Sequence, residues 1–129
     1  MPKNEITTPH APAAIGPYSQ GIAVEGKRLI FVSGQVPLDP ATGELASSSI
    51  AEQTRQSLEN VKAVLAAAGA GMDAVVKTTV FLQNMADFTA MNEVYKAYFS
   101  GVFPARAAIE AAALPKGALV EIEAIAVRE

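Results

Sequence analysis

Five polar side chains stand in stretches of the chain that are otherwise apolar: Tyr18, Ser33, Asn92, Arg106 and Glu121. Together they offer hydroxyl and amide hydrogen bonds, one permanently charged guanidinium and one carboxylate able to exchange a proton. Each also has an ordinary structural explanation. Arg106 could be an exposed arginine at a strand start, Glu121 one member of a solvated strand face, and Asn92 a polar position on a helix. Ser33 could simply bond neighbouring backbone. Spacing alone does not make these five a site.

Other chemistries lack their parts. The 129 residues include no cysteine and a single histidine, His10, in the N-terminal segment. Disulfides, thiolate metal sites and cysteine nucleophiles are thereby excluded, and a zinc site or a Ser-His-Asp triad has too few members. Gly-x-Ser-x-Gly, Gly-x-Gly-x-x-Gly and Walker-type loops are absent. His10 reads as a solvated side chain.

The elements that must position the five are marked by local signals. Residues 1–16 are polar and rich in Pro and Ala, which predicts an extended arm. Residues 18–24 and 28–36 are β-like runs, and Glu25-Gly26-Lys27 between them predicts a hairpin. Ser49 and Glu52 have capping-box spacing. Ile50, Thr54, Leu58, Val61, Leu65 and Ala68 then recur at helical steps until Gly69 supplies a stop. Gly69-Ala70-Gly71 follows a helix instead of opening one, so it reads as a C-cap and not as a phosphate loop. Residues 75–82 read as a strand. Asp87 is the expected N-cap of a second helix with Phe88, Met91, Val94, Tyr95 and Tyr98 inward. Residues 105–112 and 119–127 read as two more strands around Pro115-Lys116-Gly117. In the last of these, Val120, Ile122, Ala124 and Ala126 alternate with Glu121 and Glu123, and Arg106 should share a face with Ala108 and Glu110. The order ββ-α-β-α-ββ predicts a single α+β domain over 1–129, one sheet covered on one face by two helices.

Composition narrows the partners. Net charge is -3, and the ten basic residues are scattered, so neither nucleic acid nor a membrane surface is an expected partner. Residues 1–17 contain no secretory-type apolar stretch, and no segment is long enough to span a bilayer, which makes a cytoplasmic protein the expectation. Charged residues are only 18% and apolar residues 50%. Such sparing charge suggests surface buried by other subunits, unless it reflects only a high alanine content.

Six motifs carry a resemblance. Ile15-Gly16-Pro17-Tyr18-Ser19-Gln20 and Phe31-Val32-Ser33-Gly34-Gln35-Val36-Pro37 open it. Gln53-Thr54-Arg55-Gln56-Ser57-Leu58-Glu59-Asn60-Val61 and Val76-Lys77-Thr78-Thr79-Val80-Phe81 continue it. Phe103-Pro104-Ala105-Arg106 and Val120-Glu121-Ile122-Glu123-Ala124-Ile125-Ala126 close it. In this order, from about residue 6 to the end, the chain resembles the Rid/YjgF reactive-intermediate deaminases. The resemblance implies a chorismate-mutase-like fold assembled as a homotrimer, with sites between subunits and no cofactor or metal. It implies hydrolysis of 2-iminobutanoate and 2-iminopropanoate to 2-oxo acids and ammonia. Arg106 would hold the substrate carboxylate, Glu121 would position the attacking water, and Tyr18, Ser33 and Asn92 would line the pocket. Two positions depart from the pattern. Ala108 stands where many members have cysteine, which removes any thiol mechanism from this pocket position, and Ala113 stands where many have arginine.

The reaction suits these residue types. A guanidinium fork can grip a carboxylate through two charge-assisted hydrogen bonds, and a carboxylate can take a proton from water aimed at the adjacent C=N carbon. If residues 105–112 and 119–127 pair as a simple hairpin, Glu121 faces Glu110 and lies roughly 13 Å along the strand from Arg106. A neighbouring subunit would then have to complete the site, unless a long crossover or bulge does so. Two other readings compete: a regulatory trimer that binds 2-oxo acids without turnover, and an endoribonuclease or translation inhibitor. The acidic balance, 6% aromatic residues and lack of a basic cluster argue against the last.

Overall fold

The computed structural model describes residues 3–129. Strands β1 (Lys3–Ile6) and β2 (Gly21–Val24) form a two-stranded antiparallel ribbon. The main sheet contains β3 (Arg28–Gln35), β4 (Val75–Leu82), β5 (Ala105–Glu110) and β6 (Val120–Arg128), in the spatial order β3-β6-β4-β5. Helices α1 (Ile50–Ala67) and α2 (Phe88–Tyr95) pack on one face of it. No helix among the described residues is long and apolar enough to cross a membrane.

Helix α1 begins and ends where its punctuation predicts. Ser49 Oγ accepts the Glu52 N–H at 3.1 Å. Only half of the capping box forms, because the Ser49 N–H donates to Ser47 Oγ and the Glu52 carboxylate turns to Arg55 one turn on. Gly69, at φ 76°, donates to Ala66 O while Ala70 donates to Leu65 O, a Schellman stop. At α2 the expected cap moves. Asp87 makes no side-chain cap bond; a 3-10 turn over Met85–Asp87 precedes the helix, and Asn84 caps that turn through Ala86 N–H at 2.9 Å. The added turn shifts the unsatisfied N–H groups upstream, out of reach of Asp87.

Two strand pairings differ from the sequence expectation. β2 pairs with β1, not with β3, so part of the predicted arm is a strand and the 18–36 hairpin does not exist. After β2 the Lys27 N–H bonds Arg128 O, which starts β3 against β6 instead. Nor do β5 and β6 form a hairpin. The α2 crossover lays β5 parallel to β4, and β6 inserts antiparallel between β3 and β4. A parallel pair needs such a crossover. The nine-residue β6, with Val120, Ile122, Ala124 and Ala126 fully or almost fully buried, takes the central place where both edges are hydrogen-bonded.

The core lies between the helices and one sheet face. Leu58, Val61 and Leu65 of α1 and Met91 and Tyr95 of α2 meet Ile30, Val32, Val80, Leu82 and the inward residues of β6. No helix among the described residues covers the opposite face. There Glu121 is aligned with Phe81 and Phe81 with Ile109, while Phe31 is aligned with Ile125. Phe31 is 69% exposed and Ile109 46%.

Candidate active site

Arg106 sits on β5 in register with Thr78 of β4, on the helix-covered face. Its Nη1 donates to Asn92 Oδ1 of α2 at 2.7 Å. Its guanidinium carbon lies 4.8 Å from the Tyr95 ring centre, 5.5 Å from that of Phe88 and 5.7 Å from that of Tyr18. Phe88, Asn92 and Tyr95 reach it together because three- and four-residue steps share one helical face. Tyr18 arrives on the loop before β2. A parallel bridge between Ser19 and Ala105, with Ser19 Oγ donating to Phe103 O, fastens the loop before β2 along β5. Gly16 in that loop lies near enough that a Cβ there would touch the Tyr18 ring at 3.7 Å.

The nearest of these rings is tied into the core. The Tyr95 hydroxyl and Thr78 Oγ1 are 2.8 Å apart inside the core, and burial pushes the Tyr95 pKa up to about 12. Burial lowers the Arg106 pKa from the ordinary guanidinium value, yet arginine stays charged at any working pH. No carboxylate among the described residues pairs with it. A half-buried cation stacked on rings and held by one amide still has donors to offer to an anion. Ala108, two residues along β5, keeps to the same face and packs against the core, and Glu110 beyond it accepts the Met85 N–H at 2.8 Å.

Glu121 and Ser33 lie elsewhere. Glu121 occupies the uncovered face of β6, and Ser33 is exposed on β3. Val32 pairs with Ala124 and Gln35 with Ile122, so β3 holds one residue more than β6 in that interval. Ser33 and Gly34 make up this bulge, a device that re-aims side chains. The Glu121 carboxylate lies over Gly34 and makes no hydrogen bond or ion pair with any described residue.

The structure therefore gathers Tyr18, Asn92, Arg106 and Ala108 at the β5 edge, and Ser33 with Glu121 at the β3 side. Glu121 is aligned with Phe81 and not, as the hairpin would have it, with Glu110. Arg106 is aligned with Thr78, three residues from Phe81 on β4. Two strand spacings and three residues separate the two α-carbons by about 14 Å, with the side chains on opposite faces. The sequence marks Phe88 and Tyr95 only as members of a buried stripe, and Thr78 and Gly34 only as parts of longer motifs. Their spacing around Asn92 was the available signal for the first two. Among the described residues no three His, Cys, Asp or Glu side chains form a group able to hold a metal ion.

Comparison with known proteins places this arrangement. The family model described as Endoribonuclease L-PSP matches residues 8–128. A 2-iminobutanoate/2-iminopropanoate deaminase of Mus musculus is 54% identical over 123 residues, covering 95% of this chain and 90% of that protein. The YjgF gene product of E. coli is 50% identical, with a TM-score of 0.76 over 98% of this chain and 99% of that one. The E. coli TdcF structure with bound serine is 45% identical, with a TM-score of 0.76 and the same coverage. With sequence and fold matched over almost the full length, the chain belongs to the Rid/YjgF family.

Proposed function

We propose that this chain is a 2-imino acid deaminase that hydrolyses 2-iminobutanoate and 2-iminopropanoate to 2-oxo acids and ammonia. The observation that carries the proposal is Arg106, a half-buried guanidinium set against three rings and Asn92 with no carboxylate of its own. Such a cation suits a small carboxylate, held through two parallel N–H bonds. That the TdcF structure holds serine, a carboxylate with nitrogen on the next carbon, supports the same substrate chemistry here. The deaminase name of the mouse relative supports the reaction.

The reaction asks little more than placement. With the carboxylate fixed, the adjacent C=N carbon has a defined position, and water adds to it as Glu121 takes a proton from that water. The proton taken by Glu121 passes to the nitrogen, giving the tetrahedral adduct; the adduct's hydroxyl then gives up its proton, which also goes to the nitrogen, and the C–N bond breaks to release ammonia as the C=O forms. Orientation and one proton acceptor account for large accelerations of such a step.

One chain does not bring its own Arg106 and Glu121 to a single small molecule. The proposal therefore includes a homotrimer in which Arg106 of one subunit faces Glu121 of the next. The apolar side chains of Phe31, Leu29 and Ile109, exposed on or beside the uncovered sheet face, support burial of that face between subunits.

The test is ammonia release from a 2-imino acid generated in situ by an amino-acid oxidase. Arg106→Ala should lower kcat/KM by about 10³-fold, the loss expected when a bidentate charged grip is removed. Glu121→Gln should lower kcat by about 10²-fold while 2-oxo acid binding persists. Unchanged rates in Arg106→Ala would end the proposal. Binding of 2-oxobutanoate by the unmodified protein without acceleration over buffer would point instead to a regulatory binder.

A further inference from the structure

Gly34 is a glycine whose backbone does not require one. The described glycines with positive φ are Gly43, Gly69, Gly101 and Gly117, and Gly34 is not among them. What stands in its way is one side chain. A Cβ at Gly34 would lie 2.9 Å from Glu121 Cδ and 3.2 Å from Glu121 Cγ, and closer still to Oε2. The three nearest atoms all belong to Glu121. The β3–β6 register shifts at Ser33 and Gly34, and the missing Cβ there leaves the room in which the carboxylate rests.

Among the described residues no side chain or N–H bonds that carboxylate. Its position is set by shape alone. A methyl group at residue 34 would meet the free end of a flexible side chain, not backbone or core, so the carboxylate would yield before the fold did. We infer that Gly34 is a positioning residue for Glu121: the absence of its side chain seats the proton acceptor over the β3 bulge. This rests on the reading of Glu121 as proton acceptor given above.

The closing experiment is a double-mutant cycle, with steady-state kinetics on a 2-imino acid generated in situ, thermal melting, and a crystal structure of Gly34→Ala. Gly34→Ala should lower kcat by about 10- to 100-fold, the scale of a displacement near 1 Å, and leave KM within about twofold. In a Glu121→Gln background the same substitution should change kcat by less than about twofold, because residues that act through one another are not additive. The crystal structure should show the Glu121 carboxylate moved off residue 34. An equal loss of kcat in both backgrounds, or an unmoved carboxylate, overturns the inference. A slow Glu121→Gln with an unimpaired Gly34→Ala also overturns it while leaving the proposed function intact. A full-speed Glu121→Gln removes the parent reading instead, and the crystal structure still decides the seat. Should Gly34→Ala alone fail to fold, the Gly34→Ala, Glu121→Ala pair replaces it. Cutting the side chain back to its Cβ removes every atom that the added methyl would meet, so a folded pair supports the seat and an equally unfolded pair refutes it.

Discussion

The arginine side and the glutamate side of this molecule are built on opposite principles. Arg106 is clamped: an amide at 2.7 Å, three aromatic rings, and a buried Tyr95–Thr78 hydrogen bond under the nearest ring. Glu121 has no polar partner among the described residues and rests in the space above Gly34. The difference follows the roles proposed for them. An anchor for substrate must be in place before the substrate arrives, so its geometry is fixed during folding. A group that gains and loses a proton must not be tied to a strong donor that would hold it in one state.

The comparison breaks most visibly if both sides serve one active site within a single subunit. Separately purified Arg106→Ala and Glu121→Gln proteins should each be nearly inactive. When they are mixed 1:1, unfolded and reassembled together, about a quarter of the interfaces pair an intact Arg106 with an intact Glu121, as random subunit exchange dictates. Ammonia release should then recover to about a quarter of the unmutated rate. No recovery in demonstrably mixed oligomers would put both residues to work in one chain.

A smaller effect sharpens the view of Arg106 as clamped. Asn92→Ala removes the amide that orients the guanidinium and should lower kcat/KM by about 10- to 100-fold, the range for a hydrogen bond to a charged group. The loss should appear mainly in KM and in the affinity for 2-oxobutanoate, measured by calorimetry. Undiminished affinity would show that the rings alone hold the fork.

The smallest effect concerns the floor of that clamp. An unfolded tyrosine titrates near 10, whereas burial pushes Tyr95 up to about 12. The folded protein thus binds this proton more tightly, and the stability it contributes is complete below about pH 10 and lost as pH rises through about 12. Urea unfolding from pH 9 to 12 should show a decline of about 2–3 kcal/mol from this source that is missing in Tyr95→Phe. Tyr98, also raised to about 12, titrates in both proteins and forms a shared background. Identical pH slopes in the two proteins would mean that Tyr95 is not sealed from solvent.

Much of the candidate site was legible because it lies in contiguous motifs. Tyr18, Ser33, Arg106 and Glu121 were each named by their neighbours in sequence, Ala108 by its place two residues after the arginine, and Asn92, outside the six motifs, only by its match to a pocket position of the family. Their grouping was not legible. Tyr95 and Phe88 looked like core because Tyr95 is fully buried and Phe88 packs against the core, and Gly34 functions through an atom it lacks, which no residue pattern reports.

The same division runs through the fold. Helix α1, its Ser49 cap, its Gly69 stop and the in-out alternation of β6 follow from the sequence alone, since each depends on residues within a turn or two of one another. The placement of β5 against β4, of β6 between β3 and β4, and of β2 against β1 was decided only by the tertiary structure. A strand carries hydrogen-bonding groups on both edges and accepts any compatible neighbour, so its partner is chosen by how the whole chain buries its apolar faces. That choice put Arg106 and Glu121 on opposite sides of one sheet.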